Sequence, residues 1–267
     1  MKRRTFLRNA GIAAGAVAAS PLLGNFAKAD ESDFPLMDLH VHITDQFTID
    51  HAMKLAEERK VKFGIVEHPA EWAIRDDADL KKYIEKLRKY PVFIGLQPMI
   101  TGWEKKFSPE MLAQLDYVLM DPQTIPLGND QYQRIWQLET YVEDTDAFME
   151  QYMAHSMNVL NKEPITIFGW PLFLPVCIAR DYYKLWTRER MQQIISAAKA
   201  RNIAIEINDM AHTPHKEFIL MAKEHGLKFT FGSDSRTPLA GKLSYCKAVA
   251  KECKLKAGDF YIPGKKS

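Results

Sequence analysis

The sequence predicts an α/β protein built on seven parallel strands, most simply closed or nearly closed into a barrel. Three observations carry that expectation. Seven short β-branched and apolar runs alternate with amphipathic helical stretches along the 267-residue chain, which is the pattern of repeated βα units. No Gly/Ser linker, repeat or low-complexity stretch divides the chain, so one α/β domain after the amino-terminal segment is the simplest organisation. No Gly-x-Gly-x-x-Gly or phosphate-binding loop follows any run, which leaves the structural alternative, a doubly wound open sheet, without local support for nucleotide binding.

The strand candidates are residues 36–41, 62–66, 92–96, 117–120, 165–168, 203–207 and 228–231, each short and rich in Val, Ile and Phe. Helices are expected near residues 49–59, 77–89, 132–160, 188–201, 215–224 and 239–252, with Pro109 opening a short one after the third strand. Thr213 before Pro214 reads as a helix cap, which puts His215 in an exposed first turn. His51, His155 and His225 fall within or at the ends of helices and read as surface residues. Cys177, Cys246 and Cys253 have no metal-ligand spacing and read as core thiols. The last two lie two helical turns apart, about 10 Å, which is too far for a disulfide.

The chain carries 36 Lys+Arg against 34 Asp+Glu and is 46% hydrophobic, so it is neither a disordered tail nor a basic nucleic-acid binder. Its basic residues are unevenly placed. Residues 1–29 hold Lys2, Arg3, Arg4, Arg8 and Lys28 and no acid, and their removal takes 36 basic residues to 31 and the formal +2 to −3. The order is that of a signal peptide: a basic start, a Gly/Ala-rich apolar stretch over residues 11–19, and Ala27-Lys28-Ala29 as a small-x-small cleavage site before Asp30. Arg3-Arg4-Thr5-Phe6-Leu7-Arg8 also resembles the twin-arginine export signal. That resemblance implies a signal peptide at 1–29, a mature domain at 30–267, the twin-arginine machinery as a partner and a periplasmic or secreted product. Because that route carries folded proteins, it also suits one loaded with a cofactor before export. The apolar run is too short for a stable membrane anchor, and no later stretch is apolar enough to span a bilayer.

In a βα barrel the chemistry sits at the carboxyl ends of the strands. The first strand ends in Asp38-Leu39-His40-Val41-His42, and alternation puts both imidazoles on one face, where they can chelate a metal or serve as ordinary strand-end polar residues. The second ends in Glu67-His68 and the seventh in Gly232-Ser233-Asp234. Three strand ends thus offer the nitrogen and oxygen ligands of a hydrolytic metal site. Glu67 and Glu206 are candidates for general acid or base, or for orienting a ligand histidine. His212 lies on the loop after the sixth strand, on the catalytic rim. Trp170, Phe173, Tyr182, Tyr183 and Trp186 follow the fifth strand, and Trp72 and Trp103 follow the second and third. Such aromatics can stack on sugar rings or form the core of long loops.

These residues carry a family resemblance. Asp38-Leu39-His40-Val41-His42, Gly64-Ile65-Val66-Glu67-His68-Pro69, Ala204-Ile205-Glu206-Ile207-Asn208 and Phe231-Gly232-Ser233-Asp234-Ser235-Arg236 resemble the PHP family of polymerase and histidinol phosphatase metal-dependent phosphoesterases. The resemblance spans nearly all of residues 35–263 and implies a distorted (β/α)7 TIM-like barrel in which a metal cluster activates water against a phosphoester. Carried over by position, it makes His40, His42, His68 and Asp234 metal ligands. The chain departs from the pattern at four places. Gln97 stands where the family has a bridging Glu, Asp121 and Trp170 stand where it has His, and Arg236 replaces the His two residues past the terminal Asp. Gln97 cannot bridge two cations as a carboxylate does, and Arg236 puts a permanent positive charge where a cation would sit.

The expectation is therefore an exported metal-dependent hydrolase of the PHP type with a reduced site. One divalent ion, of Zn, Mn or Fe without distinction, would sit on His40, His42 and Asp234, with His68 or Gln97 completing its shell. Glu67 or Glu206 would handle the proton. Arg236 would hold an anionic or carbohydrate small-molecule substrate, unless it pairs with a rim acid such as Asp121 or Asp209. Two competing readings use the same barrel: a periplasmic sugar-processing lyase or isomerase, and a non-catalytic ligand-binding protein.

Overall fold

The structure, a computed structural model, describes residues 34–264. The export signal expected at residues 1–29 lies outside the described residues. Seven parallel strands form one sheet: Met37–Val41 (β1), Lys62–Glu67 (β2), Phe93–Leu96 (β3), Tyr117–Met120 (β4), Ile167–Phe168 (β7), Ala204–Asn208 (β8) and Phe229–Gly232 (β9), side by side in that order. The chain returns between them through Ile49–Arg59 (α1), Asp77–Leu87 (α2), Pro109–Leu112 (α3), Thr145–Lys162 (α4), Tyr182–Leu185 (α5), Arg188–Ala200 (α6) and Lys216–Glu224 (α7), and Ser244–Glu252 (α8) follows the last strand. This is the expected α/β barrel, nearly closed. Among the described residues no helix is long and apolar enough to cross a membrane.

The closing seam lies between β1 and β9. Val41 bridges Ser235, and His42 N–H donates to the Ser235 carbonyl at 3.0 Å. Asp38, wholly buried, completes the seam by accepting from Ser233 N–H at 2.9 Å and Gly241 N–H at 2.8 Å. A carboxylate thus stands in for missing ladder bonds, which satisfies two buried backbone donors.

Apolar residues divide into two clusters. Met37, Leu39, Val66, Phe93, Tyr117, Leu119, Ile167 and Ala204 fill the amino end of the barrel interior, and a larger cluster packs the helices against the outside of the strands. The Tyr117 side chain crosses the interior, where a Cβ on Gly64 would come within 2.5 Å of its hydroxyl and one on Gly95 within 2.6 Å of its ring, so those strands carry glycine. Above this plug the same inward positions turn polar, with His68, Gln97, Asp121, Glu206, Asn208 and Asp234 all buried. The register of β1 shifts between Asp38 and Val41. Leu39 therefore plugs the interior and Val41 packs outside, while His40 and His42 both reach the mouth.

Several local expectations are corrected. The helix expected over 132–160 starts at Thr145, where the Asp144 carboxylate caps Asp146 and Ala147 N–H. Ahead of it Thr124–Gly128 (β5) and Gln131–Arg134 (β6) form an antiparallel hairpin. Its turn residues Asn129 and Asp130 have φ of 50° and 57°, the left-handed pair of a two-residue hairpin turn. The helix expected over 239–252 starts at Ser244. The expected Thr213 cap is not formed: His215 is the cap residue and lies edge-on to the Tyr182 and Tyr183 rings. His155, expected at the surface, is 6% exposed on the inner face of α4. Cys246 and Cys253 are free buried thiols as expected, whereas Cys177 is exposed.

Candidate metal centre

At the carboxyl end of the strands the two histidines of β1 meet the acid that follows β9. His40 Nε2 and His42 Nε2 lie 3.3 and 3.2 Å from the same oxygen, Asp234 Oδ1. Both nitrogens are buried and make no well-directed hydrogen bond. Two ligands held about 2.0–2.2 Å from one tetrahedral ion are themselves about 3.3–3.6 Å apart. The spacing and the missing hydrogen bonds are therefore those of a ligand set that fits one cation. His40, His42 and Asp234 form a buried group that could hold a metal ion.

The ring of His40 is fixed from behind. Its Nδ1 lies 2.7 Å from Glu206 Oε1, and Glu206 Oε2 accepts from Trp170 N–H at 2.7 Å and Asn208 Nδ2 at 3.2 Å. Every Glu206 oxygen is engaged inside the barrel, so this acid takes the orienting place of the two open to it. Gly232 makes room: a Cβ there would stand 1.9 Å from Glu206 Oε1. Trp170 presents its amide from φ 43°, and Asp234 sits at φ 47°. Left-handed conformations of non-glycine residues are held only where their surroundings enforce them.

Charge follows from this packing. Burial by itself lowers the basicity of His40, but the Asp234 and Glu206 carboxylates outweigh it and lift the imidazole to about 10. Burial likewise opposes ionisation of Asp234, yet His40 and His42 hold its carboxyl well below the usual range. The pocket thus draws one positive charge to the point between these groups, which a proton or a metal can supply. His42, lowered to about 3 by burial, is a neutral imidazole suited to ligation.

His68 falls beside this group and not within it. Its ring stacks on His42 with centroids 5.0 Å apart, and its Nδ1 meets the Gln97 carbonyl at 2.9 Å. Burial lowers it to about 4. Its ligand atom groups with those of His42 and Glu67, whose carboxyl burial pushes up. Gln97 donates from Nε2 to Asp121 Oδ2 at 3.0 Å, and burial lifts Asp121 to about 6. Arg236 pairs with neither Asp121 nor Asp209: its Nη1 donates to Asp234 Oδ1 at 2.8 Å and to the Asp234 carbonyl at 3.3 Å.

The rim aromatics separate by role. Trp103, Trp170 and Trp186 are buried. Trp72 is 69% exposed and stands against His68 with centroids 5.0 Å apart. His212 stacks on Tyr245 at 4.8 Å in a separate cleft of about 680 Å³ that Tyr182, Tyr183 and His215 also line. The parts that sequence reasoning passes over are Asp38 at the seam, the Asn208 amide, the Trp170 N–H and the space at Gly232. Their local signal is slight: Asp38, the Trp170 N–H and Gly232 act on partners brought from other strands, and only the Asn208 amide meets a partner on its own strand. No protein-family model and no curated protein matches the chain.

Proposed function

We propose that the protein is an exported metal-dependent hydrolase that binds one divalent ion on His40, His42 and Asp234 and cleaves a phosphoester-like bond in an anionic small molecule. The observation that carries this reading is the convergence of His40 Nε2, His42 Nε2 and Asp234 Oδ1 on one buried point, with both nitrogens free of hydrogen bonds that would use them up. A bound divalent ion lowers the pKa of a water ligand toward neutrality and polarises the bond to be cleaved. The chain's own residues do the rest. Glu206 holds His40 in the tautomer that leaves Nε2 free. Glu67, at the edge of the centre with one oxygen on His68 N–H, has a carboxyl made more basic by burial and takes a proton at the other oxygen. Arg236 spends only Nη1 on Asp234, which leaves Nε and Nη2 for a substrate oxyanion. Trp72 offers an exposed face beside His68 for a ring of the substrate.

The test is elemental analysis of the purified mature chain, followed by a screen of phosphoesters beside glycosides and oxidised sugars before and after chelation. Stoichiometric metal and chelator-sensitive phosphoester turnover are expected. No bound metal, with turnover unchanged by chelation, overturns the reading, and turnover confined to oxidised sugars assigns the barrel to a lyase instead.

A further inference from the structure

Apart from the metal centre, the segments after β7 and β8 and the helix α8 line a cleft of about 680 Å³, a size that suits a small molecule, for which about 300–1,000 Å³ is usual. Its walls are rings in two orientations. His212 lies flat on Tyr245, 12° apart, while Tyr182 and Tyr183 stand edge-on to His215 at 84°. The chain itself holds these rings in place. Asn208 Oδ1 accepts from Ala211 N–H at 2.9 Å, and Asn208 N–H donates to the Thr213 carbonyl at 2.7 Å. These bonds keep His212 at φ 55°, a left-handed conformation that a non-glycine residue adopts only where its surroundings enforce it. Tyr245 Oη donates to the Pro214 carbonyl at 2.6 Å, and Tyr182 Oη meets His215 Nδ1 at 3.3 Å. Tyr183 is nevertheless 75% exposed, a large ring left in water at the edge of a cleft that buried Leu174 and Val249 also line.

The lining selects the class of ligand. Among the described residues, the charged side chains of the cleft are Lys216 and Glu252, which neutralise each other across 2.7 Å. Burial also lowers the basicity of His215, so net charge gives the cleft no hold on an ion. The histidine and tyrosine rings all carry a nitrogen or a hydroxyl at the edge. A wholly apolar ring would cover those polar edges without answering them. A sugar ring answers both features, because its C–H face packs on an aromatic face while its hydroxyls meet the polar edges, directly or through water.

We propose that this cleft is a binding site for a neutral sugar ring, separate from the metal centre and independent of the metal reading. Its test is calorimetric titration of the purified protein with neutral tetrasaccharides of glucose, mannose, galactose and N-acetylglucosamine, and with phenol as an aryl probe, each with and without chelator. At least one tetrasaccharide is expected to bind saturably and equally under both conditions. Tyr183→Ala and His212→Ala each remove an exposed ring, so they spare the core, and melting curves establish that both variants are folded. Each is expected to weaken saccharide binding about 3–10-fold, whereas Trp72→Ala, at the metal mouth, leaves it unchanged. Failure of all four tetrasaccharides to bind overturns the inference, and so does phenol binding more tightly than any of them. Binding that is lost on chelation, or weakened by Trp72→Ala and not by Tyr183→Ala and His212→Ala, places the sugar at the metal centre and overturns it as well. All of these adverse outcomes leave the metal reading standing, because none of them counts bound metal.

Discussion

Glu206 Oε1 lies 2.7 Å from His40 Nδ1, with both side chains fully buried. The pair sets which nitrogen of His40 faces the mouth, and an acid behind a ligand imidazole also raises its strength as a ligand. Glu206→Gln keeps the shape and removes the charge. Metal affinity is expected to fall about 10–100-fold in this variant. A competition titration against a chromophoric chelator measures the affinity. Undiminished affinity would show that Glu206 serves only to fill the interior.

Gly232 is the space in which that pair forms. Its Ala variant drives a Cβ to within 1.9 Å of Glu206 Oε1 and 2.8 Å of the His40 Cβ. The loss is expected to be about 1–3 kcal/mol of stability, together with weakened metal binding, because the displaced acid can no longer orient the ring. Gly258→Ala is the control, since a Cβ there meets nothing within 4 Å. Urea unfolding and metal titration of both variants decide it: equal behaviour of the two would refute the steric argument.

The carboxyl-end polar residues are readable in the chain because a strand repeats every second residue, so His40 and His42 share a face and Glu67, Asp234 and the rest mark strand ends. The role of Glu206 is not readable. Whether it moves protons or orients a ring depends above all on Trp170 N–H and His40, and these meet it only when β1 and the end of β7 come together with β8. Arg236 is the opposite case, since its partner is Asp234, two residues away, and not a rim acid from another loop. The hairpin before α4 is hidden for a different reason. Its second strand, Gln131–Arg134, is largely exposed and lacks the apolar alternation by which strands are recognised, and only the Asn129-Asp130 turn gives it away.

Asp38 closes the barrel with two hydrogen bonds where β1 and β9 do not pair fully. Asp38→Ala leaves Ser233 N–H and Gly241 N–H buried without their acceptor. Each unsatisfied buried donor costs about 1–3 kcal/mol, so a loss of about 2–6 kcal/mol is expected. Asp38→Asn, which keeps one acceptor, is expected to fall between the variant and the wild type. Hydrogen exchange at the amides of β1 and β9 should rise first in both, ahead of those in β3 and β4. Uniform loss of protection across all seven strands would show that the seam is not a separate weak point.

His155 makes the protein sensitive to acid away from the metal centre. Its side chain is buried, its Nε2 has no hydrogen-bond partner, and burial lowers the imidazole to about 4 from an ordinary 6.5. Between those two values the unfolded chain binds a proton that the folded chain refuses, so the unfolded state gains as pH falls. The contribution of neutral His155 is therefore fully present above about 6.5 and is lost progressively as pH drops toward about 4, by up to about 3 kcal/mol. His155→Leu removes the titration without introducing a second charge. Urea unfolding of both proteins from about pH 7 to about pH 5, each stripped of metal, isolates the effect, because every other titrating group is common to the two. The stability difference is expected to move in favour of the variant as pH falls. A difference that stays constant over that range would show that His155 reaches solvent and titrates normally in the folded protein.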